Sequence, residues 1–209
     1  MAIFEVNSKT DYENLIKDKS FKFLGKGNEG ECHLLSDYKV YKIYNGNLDI
    51  VPEANKIITS DIIKSYHFIF PNQVYTVNGK VVGTQSNYVP VLDKTHSMLE
   101  LEDNFIDALY SFASELYNLS LNGFVSFDFG TNFIFDGYDL FDIDTLGHSF
   151  DLENKYDRNF LTAYNMQGFL NSVSTILGED MTPKIKTAWN DIYESYINQS
   201  LDTMMSIRK

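Results

Sequence analysis

The 209-residue chain predicts an α+β fold, with a small β-rich part followed by a mostly helical part. Three observations lead there. The turn pairs Ser36-Asp37 and Asn78-Gly79 punctuate short alternating segments before Pro90. Apolar residues then recur at three- and four-residue steps from Leu99 to Leu121. Finally, Gly178 and Pro183 divide a long helical tail.

The elements follow in order. Residues 10–18 read as a short polar helix, and 21–24 begin a strand that runs into a glycine-rich turn. Strands resume at Glu31–Leu35 and Lys39–Tyr44 across Ser36-Asp37, giving a three-stranded antiparallel start. Pro52 suits a first helical turn, and Ala54, Ile57, Ile58, Ile62 and Ile63 continue a helical stripe to about Tyr66, with Glu53 near its start. Gln73–Val77 and Lys80–Ser86 flank Asn78-Gly79, the strongest short hairpin signal. Leu101, Phe105, Leu109, Phe112, Leu116 and Leu119 mark a long amphipathic helix. Asp136-Gly137 turns a second hairpin, and residues 158–177 and 183–205 read as two closing helices.

Composition narrows the function classes. A hydrophobic content of 44%, with 14 Tyr and 16 Phe, is that of a folded chain with an ample core. The formal charge of −12 argues against a nucleic-acid surface, which needs clustered Lys and Arg. The single cysteine, Cys32, forms no internal disulfide, which fits a reducing compartment. The N-terminal residues lack a basic region followed by a long apolar run, and no stretch reaches membrane-span length. A cytoplasmic protein without membrane or nucleic-acid partners is expected.

The chemistry-bearing residues are ordered along the chain. In Gly25-Lys-Gly-Asn-Glu-Gly30 the glycines let backbone approach phosphates closely. Lys42 lies in an alternating strand, and Glu53 is placed to fix its ammonium against phosphates. Asp128, Asn132 and the acidic pair Asp142 and Asp144 surround the Asp136-Gly137 hairpin as the acidic and amide groups of a magnesium and phosphate site. Singly, each has a commoner reading: Lys42 as a solvated strand lysine, Glu53 as a helix-start carboxylate, Asp128 as a loop cap, Asn132 as a turn residue. Their joint order carries the argument. His33, His67, His96 and His148 show no ligand spacing, and neither a Gly-x-Ser-x-Gly nor another nucleophile motif occurs.

From Phe21 to Gly147 the chain resembles the protein-kinase-like superfamily. Leu-Gly-Lys-Gly-Asn-Glu-Gly-Glu-Cys is similar to its glycine-rich loop, with Cys32 where the family has a valine against adenine. Lys42 matches the lysine of the third strand, with Glu53 as its helix partner. Val82–Pro90 is similar to the fifth strand and hinge. Gly123-Phe-Val-Ser-Phe-Asp128-Phe resembles the catalytic loop, with Asp128 orienting the attacking hydroxyl and Asn132 as the magnesium-binding asparagine. Phe-Asp-Ile-Asp-Thr-Leu-Gly147 resembles the metal-binding segment. Its likeness to the Ile-Asp-Phe-Asp-Thr of some small-molecule and atypical kinases favours Asp142, and hairpin spacing favours Asp144. The resemblance implies one two-lobed kinase-like domain, with a small antiparallel β-sheet N-lobe over residues 1–90 and a reduced helical C-lobe over 91–209.

The chain also departs from the family pattern. Ser126 and Phe127 replace the loop's usual histidine and arginine, the interval from Asp128 to Asn132 is one residue short, and no segment ending in Ala-Pro-Glu follows Gly147. The resemblance implies an ATP- and Mg2+-dependent phosphotransferase acting on a protein Ser/Thr hydroxyl or a small hydroxylated acceptor. The departures keep open a pseudokinase that binds nucleotide or a partner without turnover, and behind it an unrelated α+β interaction protein.

Overall fold

Turn chemistry and strand alternation build the first half of the protein. The computed structural model describes residues 2–48, 65–90, 98–126, 129–130, 132–143, 145 and 148–207. The chain divides into two compact units. The first holds the described residues up to 48 together with Ile69–Tyr88, and the second holds residues 65–68 and those from Val89 onward.

The first unit is a six-stranded sheet with one covering helix. Its strands are β1 (Ala2–Glu5), β2 (Ser20–Lys26), β3 (Gly30–Leu35), β4 (Lys39–Leu48), β5 (Gln73–Val77) and β6 (Lys80–Asn87), in the order β1-β5-β6-β4-β3-β2. All neighbours are antiparallel except β1, which runs parallel to β5 with Ala2 opposite Gln73. The sequence carries no signal for β1, because its four residues are all exposed and are held by long-range pairing with β5 and by side-chain contacts of Phe4 and Glu5 there. Asn78 and Gly79, with φ of 51° and 74°, close the β5–β6 hairpin in the left-handed conformation that this dipeptide favours.

Helix α1 (Lys9–Lys19) starts at Ser8, whose hydroxyl accepts the Asp11 amide, and buries Tyr12 and Ile16 against Leu35, Tyr41, Ile43 and Val82. Gly83 permits this approach, since a Cβ there would lie 2.2 Å from the Tyr12 ring.

The second unit is mainly helical. Helix α2 (Glu102–Leu121) buries Phe105, Leu109, Phe112 and Leu116 on the predicted stripe. Residues 98–100 are also helical, but Leu101 interrupts the helix as a turn. Phe112 packs on Phe169 of α3 (Arg158–Leu177) at 4.6 Å between ring centroids, and on Phe68 and Phe133 at 4.8 and 5.2 Å. Asp157 caps α3, and Gly178, at φ 55°, follows its end.

Helix α4 (Pro183–Ile192) begins at the Thr182 cap, a π-helical turn occupies Tyr193–Asn198, and α5 (Gln199–Ile207) completes the tail. The predicted single helix over 183–205 is therefore broken by the π turn. Two small ladders join the helices: β7 (Phe124–Val125) with β10 (Ser149–Phe150), and the hairpin of β8 (Phe133–Phe135) and β9 (Leu140–Asp142). Asp136 accepts the Tyr138 and Asp139 amides at 2.9 Å, and Gly137 takes φ 105°, so this hairpin turns where predicted. The helix expected up to about Tyr66 falls mostly on residues 49–64, outside the described residues; Ser65 and Tyr66 themselves are not helical. No helix among the described residues is long and apolar enough to cross a membrane.

Candidate functional site

The first unit carries Lys42 and the glycine turn. Cys32 lies opposite both Gly25 and Lys42, and Lys42 lies opposite Thr84, so one row of side chains crosses three strands on one face. Tyr41 and Ile43 pack under α1, so alternation sends Lys42 to the other face. Its side chain is only 16% exposed, which removes the reading of a solvated strand lysine. The Tyr12 hydroxyl, buried beneath α1, reaches the carbonyl of Lys42 at 3.2 Å and that of Thr84 at 3.4 Å, holding the two strands together where the lysine leaves.

The lysine ammonium is 3.0 Å from Glu29 Oε2 and 4.8 Å from the centroid of the Tyr44 ring. Glu29 belongs to the glycine turn itself. The partner expected from sequence, Glu53, lies outside the described residues. The turn is tied to β4, because the Asn45 amide donates to the Glu29 carbonyl at 2.7 Å and its side chain to the Asn28 carbonyl at 2.9 Å. The three glycines are not equivalent. A Cβ at Gly25 or Gly27 would meet nothing within 4 Å, whereas at Gly30 it would lie 2.1 Å from the Ile43 carbonyl oxygen. Gly30 is thus required by strand packing, and the open backbone is at Gly25 and Gly27.

In the second unit the segment leading to Asp128 is clamped by a buried amide. Asn165 of α3 accepts the Ser126 amide at 2.9 Å and donates to the Phe124 carbonyl at 2.7 Å and the Ser120 hydroxyl at 2.8 Å. Gly123, at φ 90°, lies against Arg158, which pairs with Asp151 at 3.2 Å. Burial pushes the Asp151 carboxyl up. Hydrogen bonds from the Tyr156 and Lys155 amides and the Arg158 guanidinium outweigh it and hold the group below the usual carboxylate range. Asp128 itself, like Asp144, lies outside the described residues. On the far side of Asp128, Phe129 stacks on Phe133 at 5.7 Å.

Asn132 and Asp142 bracket the hairpin. Phe133 pairs with Asp142, and the Ile143 amide donates to the Asn132 carbonyl at 3.2 Å, extending the ladder by one rung. The two-residue period then places Phe133, Phe135, Leu140 and Asp142 on one face and Asn132, Ile134, Phe141 and Ile143 on the other. The first set is fully buried; in the second, Ile134 and Phe141 are buried, Asn132 is half-buried and Ile143 exposed. Within the ladder Asp142 shares the face of Phe133 and Leu140.

Asp142 is 0% exposed and His148, at 1%, donates Nε2–H to its Oδ2 at 3.0 Å. The Asp142 amide donates to the His67 carbonyl at 2.8 Å. Around His67, Glu115 of α2 accepts the backbone amides of Tyr66 and His67, while the His67 ring bonds the Leu140 carbonyl and the Ser111 hydroxyl, each at 2.8 Å. Asn165, His148 and His67 were not legible as site residues. The usable signals were a polar residue inside the α3 stripe and an aspartate two residues from Leu140 on the buried face of β9.

No protein-family model matches the chain, and no curated protein matches it. Among solved structures that match is a kinase of Legionella pneumophila, Lpg2603, bound to IP6. It is 17% identical with a TM-score of 0.48, and the match covers 86% of this chain and 67% of that one.

Proposed function

We propose that the protein is an ATP- and magnesium-dependent phosphotransferase of kinase type, acting on a protein Ser/Thr hydroxyl. The observation that carries the reading is Lys42. It lies on the middle of three consecutive strands that follow the glycine turn, it is shielded from solvent, and it pairs with a carboxylate of that same turn. A lysine so placed neutralises nucleotide phosphates when they take the place of Glu29. Gly25 and Gly27 offer open backbone for the close approach that phosphates require.

In the transfer, the acceptor hydroxyl oxygen forms a bond to the γ-phosphorus while the bond to the β-bridging oxygen breaks, and ADP departs with that electron pair. Asp128 takes up or orients the hydroxyl proton, and the Asn165 clamp fixes the segment that delivers Asp128. Asn132 with one of the two carboxylates Asp142 and Asp144 would hold magnesium, through hard oxygen donors that fit it; no cluster of three acidic, His or Cys groups occurs among the described residues. Bound magnesium supplies charge neutralisation on the phosphates.

Transfer of radiolabelled phosphate from ATP to a generic protein substrate tests the reading. Wild-type transfer that Asp128→Asn reduces at least about 100-fold supports it, and transfer unchanged in that variant refutes it. A second reading, a pseudokinase that binds nucleotide without turnover, is favoured by Ser126, a buried residue standing where the family places a loop histidine. Nucleotide binding without any transfer would select it.

A further inference from the structure

Asp142 is sealed from solvent and Asn132 is half-buried, so the two residues at the ends of the hairpin stand in different surroundings. We infer that Asp142 is a positioning residue and not a magnesium ligand: with His148 it forms a buried clasp between the end of β9 and the start of β10. The inference rests on the phosphotransferase reading for the metal that the clasp serves. The clasp itself rests on geometry alone.

Three features support it. First, a magnesium ion carrying nucleotide keeps several waters and phosphate oxygens in its shell. A carboxylate with 0% exposure, in register with Phe133 on the core face, has no access to such a shell. Second, a buried carboxylate requires a donor. His148 supplies one at 3.0 Å from six residues away, inside a wall formed by Phe124, Phe129 and Phe68, whose ring centroids lie 5.1, 5.7 and 6.1 Å from that of the imidazole. Third, His148 Nδ1 is buried with no hydrogen-bond partner among the described residues, so there Asp142 is the polar anchor of this ring.

The backbone supports the same clasp. The His148 amide donates to the Thr145 carbonyl at 3.2 Å, and the Asp142 amide is fixed from the other side by the His67 carbonyl. Asp142 and His148 are therefore each fixed before any ligand arrives, as the hydrogen bonds behind a ligand set fix a metal site.

The experiment uses the full chain with His148→Leu, His148→Gln, Asp142→Leu, the double Leu variant and Asp144→Asn. Two quantities are measured: the ligand-free melting temperature, and the Mg2+ concentration giving half the ATP-dependent rise in that temperature. We expect each single Leu variant to melt roughly 10 °C lower, and the double variant to lose less than the sum, because both polar partners are then gone. His148→Gln, which keeps an N–H donor, recovers most of the loss. It also keeps the wild-type Mg2+ requirement, which His148→Leu raises about 10- to 100-fold. Asp144→Asn abolishes the magnesium response at an unchanged ligand-free melting temperature.

An Asp142→Leu protein that melts like wild type but has lost the magnesium response would show Asp142 to be the ligand. An unchanged Mg2+ requirement in His148→Leu, or a magnesium response kept by Asp144→Asn, would also overturn the assignment. If wild type shows no response to Mg·ATP, the phosphotransferase reading fails and the metal-positioning role falls with it. The clasp is then decided separately by ligand-free melting, where additive losses would refute it.

Discussion

Lys42–Glu29 in the first unit and His148–Asp142 in the second have the same 3.0 Å separation and opposite meanings. The Glu29 side chain is 61% exposed, so water and salt screen its attraction for the lysine, and such a pair contributes about 0–1 kcal/mol. Asp142 and His148 are sealed from solvent, and removing one partner of such a pair leaves an unsatisfied group at a cost of about 3–5 kcal/mol. Distance alone decides neither. The exposed pair is exchangeable, which suits the role proposed for Lys42 in giving its ammonium to phosphates, while the buried pair is permanent, which suits a scaffold.

The contrast breaks most sharply at Asn165, which belongs to the same buried regime as the Asp142–His148 pair. Asn165→Ala removes three hydrogen bonds and strands the Ser126 amide, the Phe124 carbonyl and the Ser120 hydroxyl in the core. The expected loss is about 3 kcal/mol, a fall in melting temperature of roughly 6–12 °C. Asn165→Asp keeps the acceptor for Ser126 but sets a carboxylate against the Phe124 carbonyl, and should lose at least as much. A melting temperature within about 2 °C of wild type for the alanine variant would show that the second unit is not held by buried polar groups.

Lys42→Met sharpens the other side. The methionine keeps the apolar stem, so stability should change by less than about 1 kcal/mol. Phosphate transfer should fall by about 100-fold or more, as for removal of one preorganised donor. A large loss of stability with little loss of transfer would make Lys42 a structural residue.

Both hairpins were legible because their turns are local: Asn78-Gly79 takes positive φ at both residues, and Asp136 folds its own turn through two amides. The helices from Glu102 and Arg158 were legible because their apolar stripes are long. What escaped depends on distant partners. β1 is held by pairing with residues some seventy positions away. The π turn at Tyr193–Asn198 replaces a predicted α-helix without a proline or glycine to announce it. His148 was not legible, because its bond to the Asp142 carboxylate is made by the fold and not announced by any spacing.

At the site, the row from Gly25 through Cys32 and Lys42 follows from strand alternation alone. The separate roles of Gly25, Gly27 and Gly30 do not, since only the neighbouring strand decides which glycine has no room for a Cβ.

The smallest expected effect lies in the exposed pair itself. Glu29→Gln keeps the side chain's shape and removes its charge, so the folded state should shift by no more than about 0.5 kcal/mol. In the proposed function the same charge competes with phosphate for the Lys42 ammonium. Freeing the ammonium should therefore tighten Mg·ATP binding, and 1 kcal/mol of lost competition is about fivefold in the dissociation constant. The measurement is calorimetric titration of wild type and Glu29→Gln at low and high salt. The variant should bind two- to fivefold more tightly at low salt, and the difference should shrink as screening weakens the pair in wild type. Weaker binding by the variant would mean that Glu29 itself contributes to the nucleotide site. The exposed pair would then be part of the binding machinery and no longer a contact that gives way to ligand.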